Sequence, residues 1–196
     1  ARMVKPVVEE GLGREVKLES IITSLKRARG EYRTPSGDIQ RVVAKSVVNV
    51  RTDVAKLAIE KTRRTLEITR RTLAGHQEEF LHVSEGISAV TLILDQKVLD
   101  EVRGLFRRDD FLEEEKDLAA IIVHSPEEII KTPGCAITFY NQVSRRHINI
   151  EDTSSCYTDT IIVVKMEDVG KAFTALTELI SNTRKAEERQ PSSSRP

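Results

Sequence analysis

The sequence lacks tryptophan altogether and has only 4% aromatic residues, so any core must be built mainly from aliphatic side chains. Its two cysteines, Cys135 and Cys156, do not make the disulfide framework of a small secreted protein, which favours a reducing compartment. No apolar run approaches the roughly 20 residues of a membrane span, and the N-terminus lacks the apolar stretch of a secretory signal. We therefore expect a soluble, cytoplasmic protein with no membrane contact.

The common signatures of catalysis are missing as well. The sequence has no phosphate-cradling glycine loop, no His-x-x-x-His pair and no nucleophile elbow. Cys135 and Cys156 have no histidine at zinc-ligand spacing, although a redox role for the two thiols stays open. We expect no cofactor, no metal and no enzymatic activity.

Charge is balanced overall but unevenly distributed. The net charge is zero, yet residues 1–76 hold 17 Lys and Arg against 9 Asp and Glu. Such an asymmetry between halves suggests different partners, with nucleic acid a candidate for the basic half. Simple solubility of a helical region explains the excess equally well.

From Leu118 onward, the chain alternates between strand and helix patterns. Short apolar or alternating runs predict strands, and apolar residues at i, i+3, i+4 and i+7 predict helices. The expected strands are residues 118–124, 148–151 and 160–164, and the expected helices are residues 136–143 and 169–180. This order predicts an α+β, ferredoxin-like domain with a hairpin turn in residues 152–159.

Three motifs in this region resemble the ACT domains of aspartokinases. They are Pro133-Gly-Cys-Ala-Ile-Thr-Phe139, His147-Ile-Asn-Ile-Glu151 and Thr153-Ser-Ser155. The resemblance implies a domain that binds a free amino acid, with a product of the aspartate pathway favoured. It also implies effector roles for His124, Ser125, Gly134, Asn149 and Glu151.

The residues themselves support part of that site. The amides at the start of the Cys135 helix suit a carboxylate, and Glu151 suits an ammonium group. The alternative is that Asn149 and Glu151 form only the solvated face of a strand. The loop after Ser125 is longer than usual in the family.

A weaker copy of the same pattern lies upstream and predicts a tandem arrangement. Residues 88–94 and the apolar positions after them align with residues 159–176 at a shift of 71, and residues 80–84 match a preceding strand. We divide the region 79–182 into a partial or full repeat, 79–117, and a clear unit, 118–182. Residues 107–116, rich in both charges, are expected to form a solvated connection.

Residues 1–76 are expected to form a small, basic helical domain before the ACT region. Val43-Ala-Lys-Ser-Val47 and Asn49-Val-Arg-Thr-Asp-Val54 resemble a helix-turn-helix, although the turn is one residue long and has no glycine. In this interpretation a break covers residues 29–37, and a third helix begins near Val54. Together with an ACT unit, the pattern resembles a family of archaeal predicted regulators of amino-acid metabolism.

A basic stripe is expected on that third helix. Lys56, Arg63 and Arg70 are seven residues apart, and Arg64 and Arg71 lie beside them. The stripe predicts contact with DNA phosphates, while a solvated face or a helix paired in a dimer are alternatives. The tail, residues 184–196, is expected to be disordered.

These features predict an amino-acid-sensing regulator that binds DNA through its basic helices and forms a homo-oligomer through its sheets. The alternative is a free-standing regulatory subunit that docks on a metabolic enzyme such as an aspartokinase. Which amino acid is sensed stays open in both cases.

Overall fold

The computed structural model describes residues 4–31 and 36–188, and the chain divides into two bodies. The body ending at Gly37 contains the helices α1 (Lys5–Leu12) and α2 (Leu18–Glu31). Pro6 in its first turn suits the start of α1, and Gly13 ends it with a left-handed φ of 63°. The predicted break is narrower than expected, because α2 includes residues 29–31; residues 32–35 lie outside the described part.

The body from Asp38 onward contains the remaining elements. Its six strands form one antiparallel sheet in the order β2-β3-β1-β4-β6-β5. No helix in the described part of the chain has the length and apolar character of a membrane span. The elements are α3 (Ser36–Lys45), β1 (Val47–Glu60), α4 (Arg63–Gly75), β2 (Leu81–Glu85), β3 (Ala89–Asp95), α5 (Leu99–Gly104), β4 (Phe111–His124), α6 (Cys135–Ser144), β5 (Asp152–Cys156), β6 (Asp159–Lys165) and α7 (Val169–Glu188).

Two ferredoxin-like repeats share the long central strands β1 and β4. The first repeat runs in order from the second half of β1 through α4, β2, β3 and α5 to the first half of β4. The second repeat uses the rest of β4, α6, β5, β6 and α7, and takes its fourth strand from the first half of β1. Both strands have 14 residues and change repeat at an aspartate with positive φ, 55° at Asp53 and 57° at Asp117. The tandem, α+β arrangement expected from the sequence is therefore present.

The alignment of the two repeats differs by one residue from the predicted shift of 71. β3 and β6 are both seven residues long and start 70 positions apart, so Leu92 corresponds to Ile162. Both side chains face helices in their own repeats. A shift of 71 would pair Leu92 with Val163, which points to the opposite face, because successive residues of a strand alternate.

Three clusters of buried residues hold this body together. One packs the sheet of the second repeat against α3, α6 and α7, and another packs the first repeat against α4 and α5. The third contains no helix residue and joins strand residues of both repeats: Val54, Ile93, Leu118, Ala120, Ile161 and Val163. Because these side chains are at most 7% exposed, we infer that the helix-free faces of the two half-sheets lie against each other.

The predicted helix-turn-helix is wrong. Its first helix exists as α3, but the segment expected to form the turn and the next helix is β1. β1 lies between β3 and β4 and is buried on both faces over residues 54–57, so it lacks the alternation of polar and apolar residues that marks an exposed strand. Val54, Leu57 and Ala58 satisfy helical spacing only by coincidence.

Other predicted boundaries also shift. Most of the expected solvated connection, residues 107–116, is the start of β4, where charged side chains face solvent. The expected strand 148–151 precedes a later strand, β5, so the hairpin turn shrinks to Tyr157 and Thr158. Residues 184–188 of the expected disordered tail continue α7, and residues 189–196 lie outside the described part.

Because the repeats share β1 and β4, we predict that this body unfolds in one cooperative step. Leu57 and Ile121 occupy equivalent positions, one in each repeat, and neither is exposed. Replacing either with Ala should lower the free energy of unfolding by about 2–5 kcal/mol. Urea unfolding followed by circular dichroism should show a single transition in each variant, with Leu112→Ala, at a 59% exposed position, as the control. Two separate transitions would show that the repeats fold independently.

Candidate functional site

Three of the five predicted effector residues lie at the end of the second repeat where β4 stops. His124 is exposed, and its Nδ1 lies 2.6 Å from Asp159 Oδ1. Ser125 is buried, donates its N–H to the Thr158 carbonyl and places its Oγ 2.9 Å from Ser46 Oγ. Gly134 adopts a φ of 87° and starts α6 without a side-chain cap. Ser125 thus holds the loop in place, while His124 and Gly134 face the outside.

Asn149 and Glu151 lie elsewhere, just before β5. Asn149 Nδ2 donates to Glu151 Oε1 at 2.8 Å, and the Glu151 N–H donates to the Val163 carbonyl at 2.8 Å. The Glu151 carbonyl also accepts a hydrogen bond of 3.4 Å from Lys56 Nζ, which comes from the first repeat. This second group of residues is therefore fixed to both repeats.

Within one chain the five residues do not form a single site. β6 pairs Val163 with Ala120, whereas His124 pairs with Asp159, four residues further along β4. At ~3.3 Å per residue, the two groups lie about 13 Å apart along the strands. Their expected proximity is wrong because β5 intervenes between Glu151 and the hairpin turn.

The equivalent loop of the first repeat is short, and the helix that follows it is capped. Only Lys61 and Thr62 connect β1 to α4, compared with residues 125–134 between β4 and α6. Thr62 and Thr65 form a capping box, in which each hydroxyl accepts a hydrogen bond from the other residue's N–H. The start of α4 is thus satisfied by its own side chains, whereas the start of α6 has no such cap.

The five residues of the predicted basic stripe do not lie on one helix. Lys56 lies on β1, is 6% exposed and places Nζ 3.0 Å from Glu113, so its predicted contact with DNA is wrong. Arg64 on α4 is paired with Asp110, which is almost buried. Arg63, Arg70 and Arg71 remain exposed on α4, the last two beside Glu67.

Two ion pairs connect the repeats. Arg51 donates to Asp95 at 2.8 Å and 2.6 Å, and Lys165 lies 3.7 Å from Glu115. The hydrogen bond from Arg51 lowers the pKa of Asp95, despite burial that acts in the opposite direction, and the Phe80 N–H adds to the lowering. Among the described residues, no group of three or more His, Cys, Asp or Glu side chains is placed to hold a metal ion.

The two cysteines have different surroundings. Cys135 is buried at the start of α6, and burial raises the pKa of its thiol to about 11. Cys156 is exposed at the end of β5, and both are free thiols. Of the two thiols, only that of Cys156 is therefore accessible.

The second repeat is also recognisable by sequence. Residues 113–178 match the model of the ACT domain family. By this match the segment is similar to ACT domains, and we refer to it as the ACT domain. It covers β4 from its third residue through α6, β5 and β6 to the middle of α7, and the first repeat has the same topology.

Solved structures with a similar fold include aspartate kinases and a regulatory subunit of one of them. The Thermus thermophilus aspartate kinase regulatory subunit, in its ligand-free form, is 14% identical, with a TM-score of 0.56 over 67% of this chain and 95% of that one. The Synechocystis aspartate kinase is 16% identical, with a TM-score of 0.58 over 70% and 27% of the two chains. The Clostridium acetobutylicum aspartate kinase is 19% identical, with a TM-score of 0.55 over 68% of this chain.

At these identities the likeness concerns the fold. The chain spans about a third, 34%, of the length of the Clostridium aspartate kinase it resembles. No curated protein matches it by sequence.

Sequence reasoning missed two residues near the ACT loop. Ser46 anchors the loop through Ser125, and Tyr157 donates its hydroxyl to Glu127 Oε1 at 2.9 Å. Nothing in the spacing of Ser46 predicts this contact. Tyr157 could not be singled out within an expected turn of eight residues. In the structure the turn has two residues, and Tyr157 is the first of them.

We predict that one thiol per folded chain reacts with Ellman's reagent at pH 8. With a pKa of about 11, roughly one Cys135 in a thousand is ionised at that pH, whereas Cys156 is exposed. In 6 M guanidinium both should react. Cys156→Ser serves as the control and should show no fast-reacting thiol when folded; a fast reaction in that variant would mean that the Cys135 site opens readily.

Proposed function

We propose that this chain is an amino-acid-responsive regulatory region that controls a metabolic enzyme by binding rather than by catalysis. The observation that carries the proposal is the difference between the two repeats at the same topological position. The first repeat caps its helix with Thr62, while the ACT domain begins α6 at Gly134 with no side-chain cap. Unpaired amides at a helix start favour a carboxylate, the group that every free amino acid carries.

The ligand site that we propose is shared between two copies of the chain. β5 pairs only with β6 and forms one edge of the sheet. If two β5 strands pair antiparallel, the start of each lies beside the end of the other. Asn149 and Glu151 of one copy then approach His124 and Gly134 of its partner, which removes the separation found within one chain.

This arrangement supplies both charges that an amino acid needs. The start of α6 receives the carboxylate, and Glu151 of the other copy receives the ammonium group. Asn149 already donates to Glu151 Oε1 at 2.8 Å and thereby orients its carboxylate. A product of the aspartate pathway is the favoured ligand, because the similar structures are aspartate kinases and one is a separate regulatory subunit.

Enzyme regulation is better supported than gene regulation. The expected helix-turn-helix is replaced by β1, and Lys56 is buried. DNA binding through Arg63, Arg70 and Arg71 remains a secondary candidate, carried only by their exposure on α4. We place either role in the cytoplasm.

We predict that the chain is a dimer or larger and that its β5 edge is needed for ligand binding. Lysines on an edge strand block pairing, so Thr153→Lys with Ser155→Lys, both at exposed positions, should give the 22.1 kDa monomer in light scattering. The same variant should lose amino-acid binding in calorimetry. Thr174→Lys with Ser181→Lys, on the exposed side of α7, is the control and should behave as wild type.

A mixing experiment tests whether the site spans two copies. Glu151→Gln should weaken binding about ten- to a hundredfold, and His124→Ala should weaken it too. Refolding the two variants together should restore about a quarter of the wild-type sites, because half of the dimers are mixed and each has one intact site. No recovery on mixing would place the whole site within one chain, and no binding by wild type would reject the sensing role.

The DNA alternative has its own measurement. If α4 binds DNA, replacing Arg63, Arg70 and Arg71 with Ala should reduce affinity across sequences and flatten its salt dependence in fluorescence anisotropy. We expect no difference between this variant and wild type.

A further inference from the structure

The longer loop of the ACT domain builds a feature that the first repeat lacks. We call residues 125–134 the β4–α6 segment; they include a short 3-10 helix, Glu127–Lys131. The segment contacts the residue that follows α3 through the buried Ser125–Ser46 pair, and Ile39 of α3 lies 3.3 Å from where a Cβ on Gly134 would stand. A segment eight residues longer than its counterpart thus provides a wall that faces α3.

Between these two walls lies a cavity of about 270 Å³. This is slightly below the roughly 300–1,000 Å³ of sites for drug-sized ligands, so it suits a smaller metabolite. Val42 and Pro126 are the apolar residues of its lining. The lining residues are Asp38, Arg41, Val42 and Lys45 from α3, and Pro126, Glu128, Lys131 and Thr132 from the segment.

Positive charge exceeds negative charge around this cavity. Arg41 pairs with Asp38, and Lys45 Nζ lies 3.6 Å from Glu128 Oε1 across the two walls. Lys131 has no ion-pair partner among the described residues. A hydrogen bond from its own backbone N–H and then the positive charge of Lys45 lower the pKa of the Glu128 carboxyl.

We propose that this cavity is a second ligand site, for a compact metabolite with two negative charges, either a dicarboxylate or a phosphate ester. Lys131 and Arg41 hold the anionic groups, and the body of the ligand rests on Val42 and Pro126. The site lies on the α3 side of the β4–α6 segment, whereas the proposed amino-acid site uses Gly134 together with the β5 edge of another copy. It therefore does not depend on the proposed function.

Such a ligand links two elements that meet at the cavity. It contacts α3 on one side and the segment on the other, so it binds best when both keep their present positions. The segment also carries Gly134, which belongs to the proposed amino-acid site.

The test uses succinate and inorganic phosphate as probes at constant ionic strength, with sodium chloride as the reference. We expect at least one probe to raise the melting temperature of the full chain in a saturable manner, since a ligand of the folded state stabilises it. Lys131→Ala and Arg41→Ala should each weaken that binding about tenfold. Lys171→Ala, which removes a lysine paired with Asp168 on α7, should bind like wild type.

Thr132→Trp provides a second variant, because a large side chain at this lining position fills the cavity and should abolish binding. Succinate alone would assign a dicarboxylate, and phosphate alone a phosphate ester. Equal effects in wild type and Lys131→Ala, or no saturable effect of either probe, would overturn the proposal. Glu151→Gln should bind the probes normally, so failure of the amino-acid site is distinguishable from failure of this one.

Discussion

The pairing of β1 with β4 is the constraint on which the rest of the fold depends. Each strand contributes one half to each repeat, so neither repeat has four strands without the other. The left-handed residues Asp53 and Asp117 mark the two crossing points, and the register between the strands shifts beside them. The helix-free faces of the half-sheets can then cover each other, which buries residues that a flat sheet with helices on one side would expose.

Duplication also separates structural from ligand-binding roles. In the first repeat, strand β1 leads through two residues into a helix with a threonine capping box, and α4 needs no external partner at its start. In the ACT domain, the corresponding connection is ten residues long and ends at Gly134. The first repeat thus completes the sheet. The second repeat keeps a helix start without a side-chain cap and a longer loop.

The sequence predicted the topology of the second repeat well because its β-branched strand and two amphipathic helices lie in one continuous stretch. It failed for β1, which is buried over residues 54–57 and therefore shows no clear period. The fourth strand of the second repeat comes from residues 47–51, more than 60 positions before β4, and local patterns carry no information about such pairing. Of the site, Gly134 and Glu151 were identifiable by type, but their separation depends on where β5 begins. A shift of a few residues in that boundary placed two of the five expected site residues at the other end of a strand.

In the two ion pairs between the repeats, equivalent positions of the two repeats carry opposite charges. Arg51 and Glu115 occupy equivalent positions on β1 and β4, and Asp95 and Lys165 occupy equivalent positions at the ends of β3 and β6. The first repeat therefore supplies both acids, and the second supplies both bases. Along this seam, two first repeats from different chains would bring Asp95 toward Glu115, and two second repeats would bring Arg51 toward Lys165. Like charges would repel at these contacts. Each first repeat therefore pairs with a second repeat and not with another first repeat.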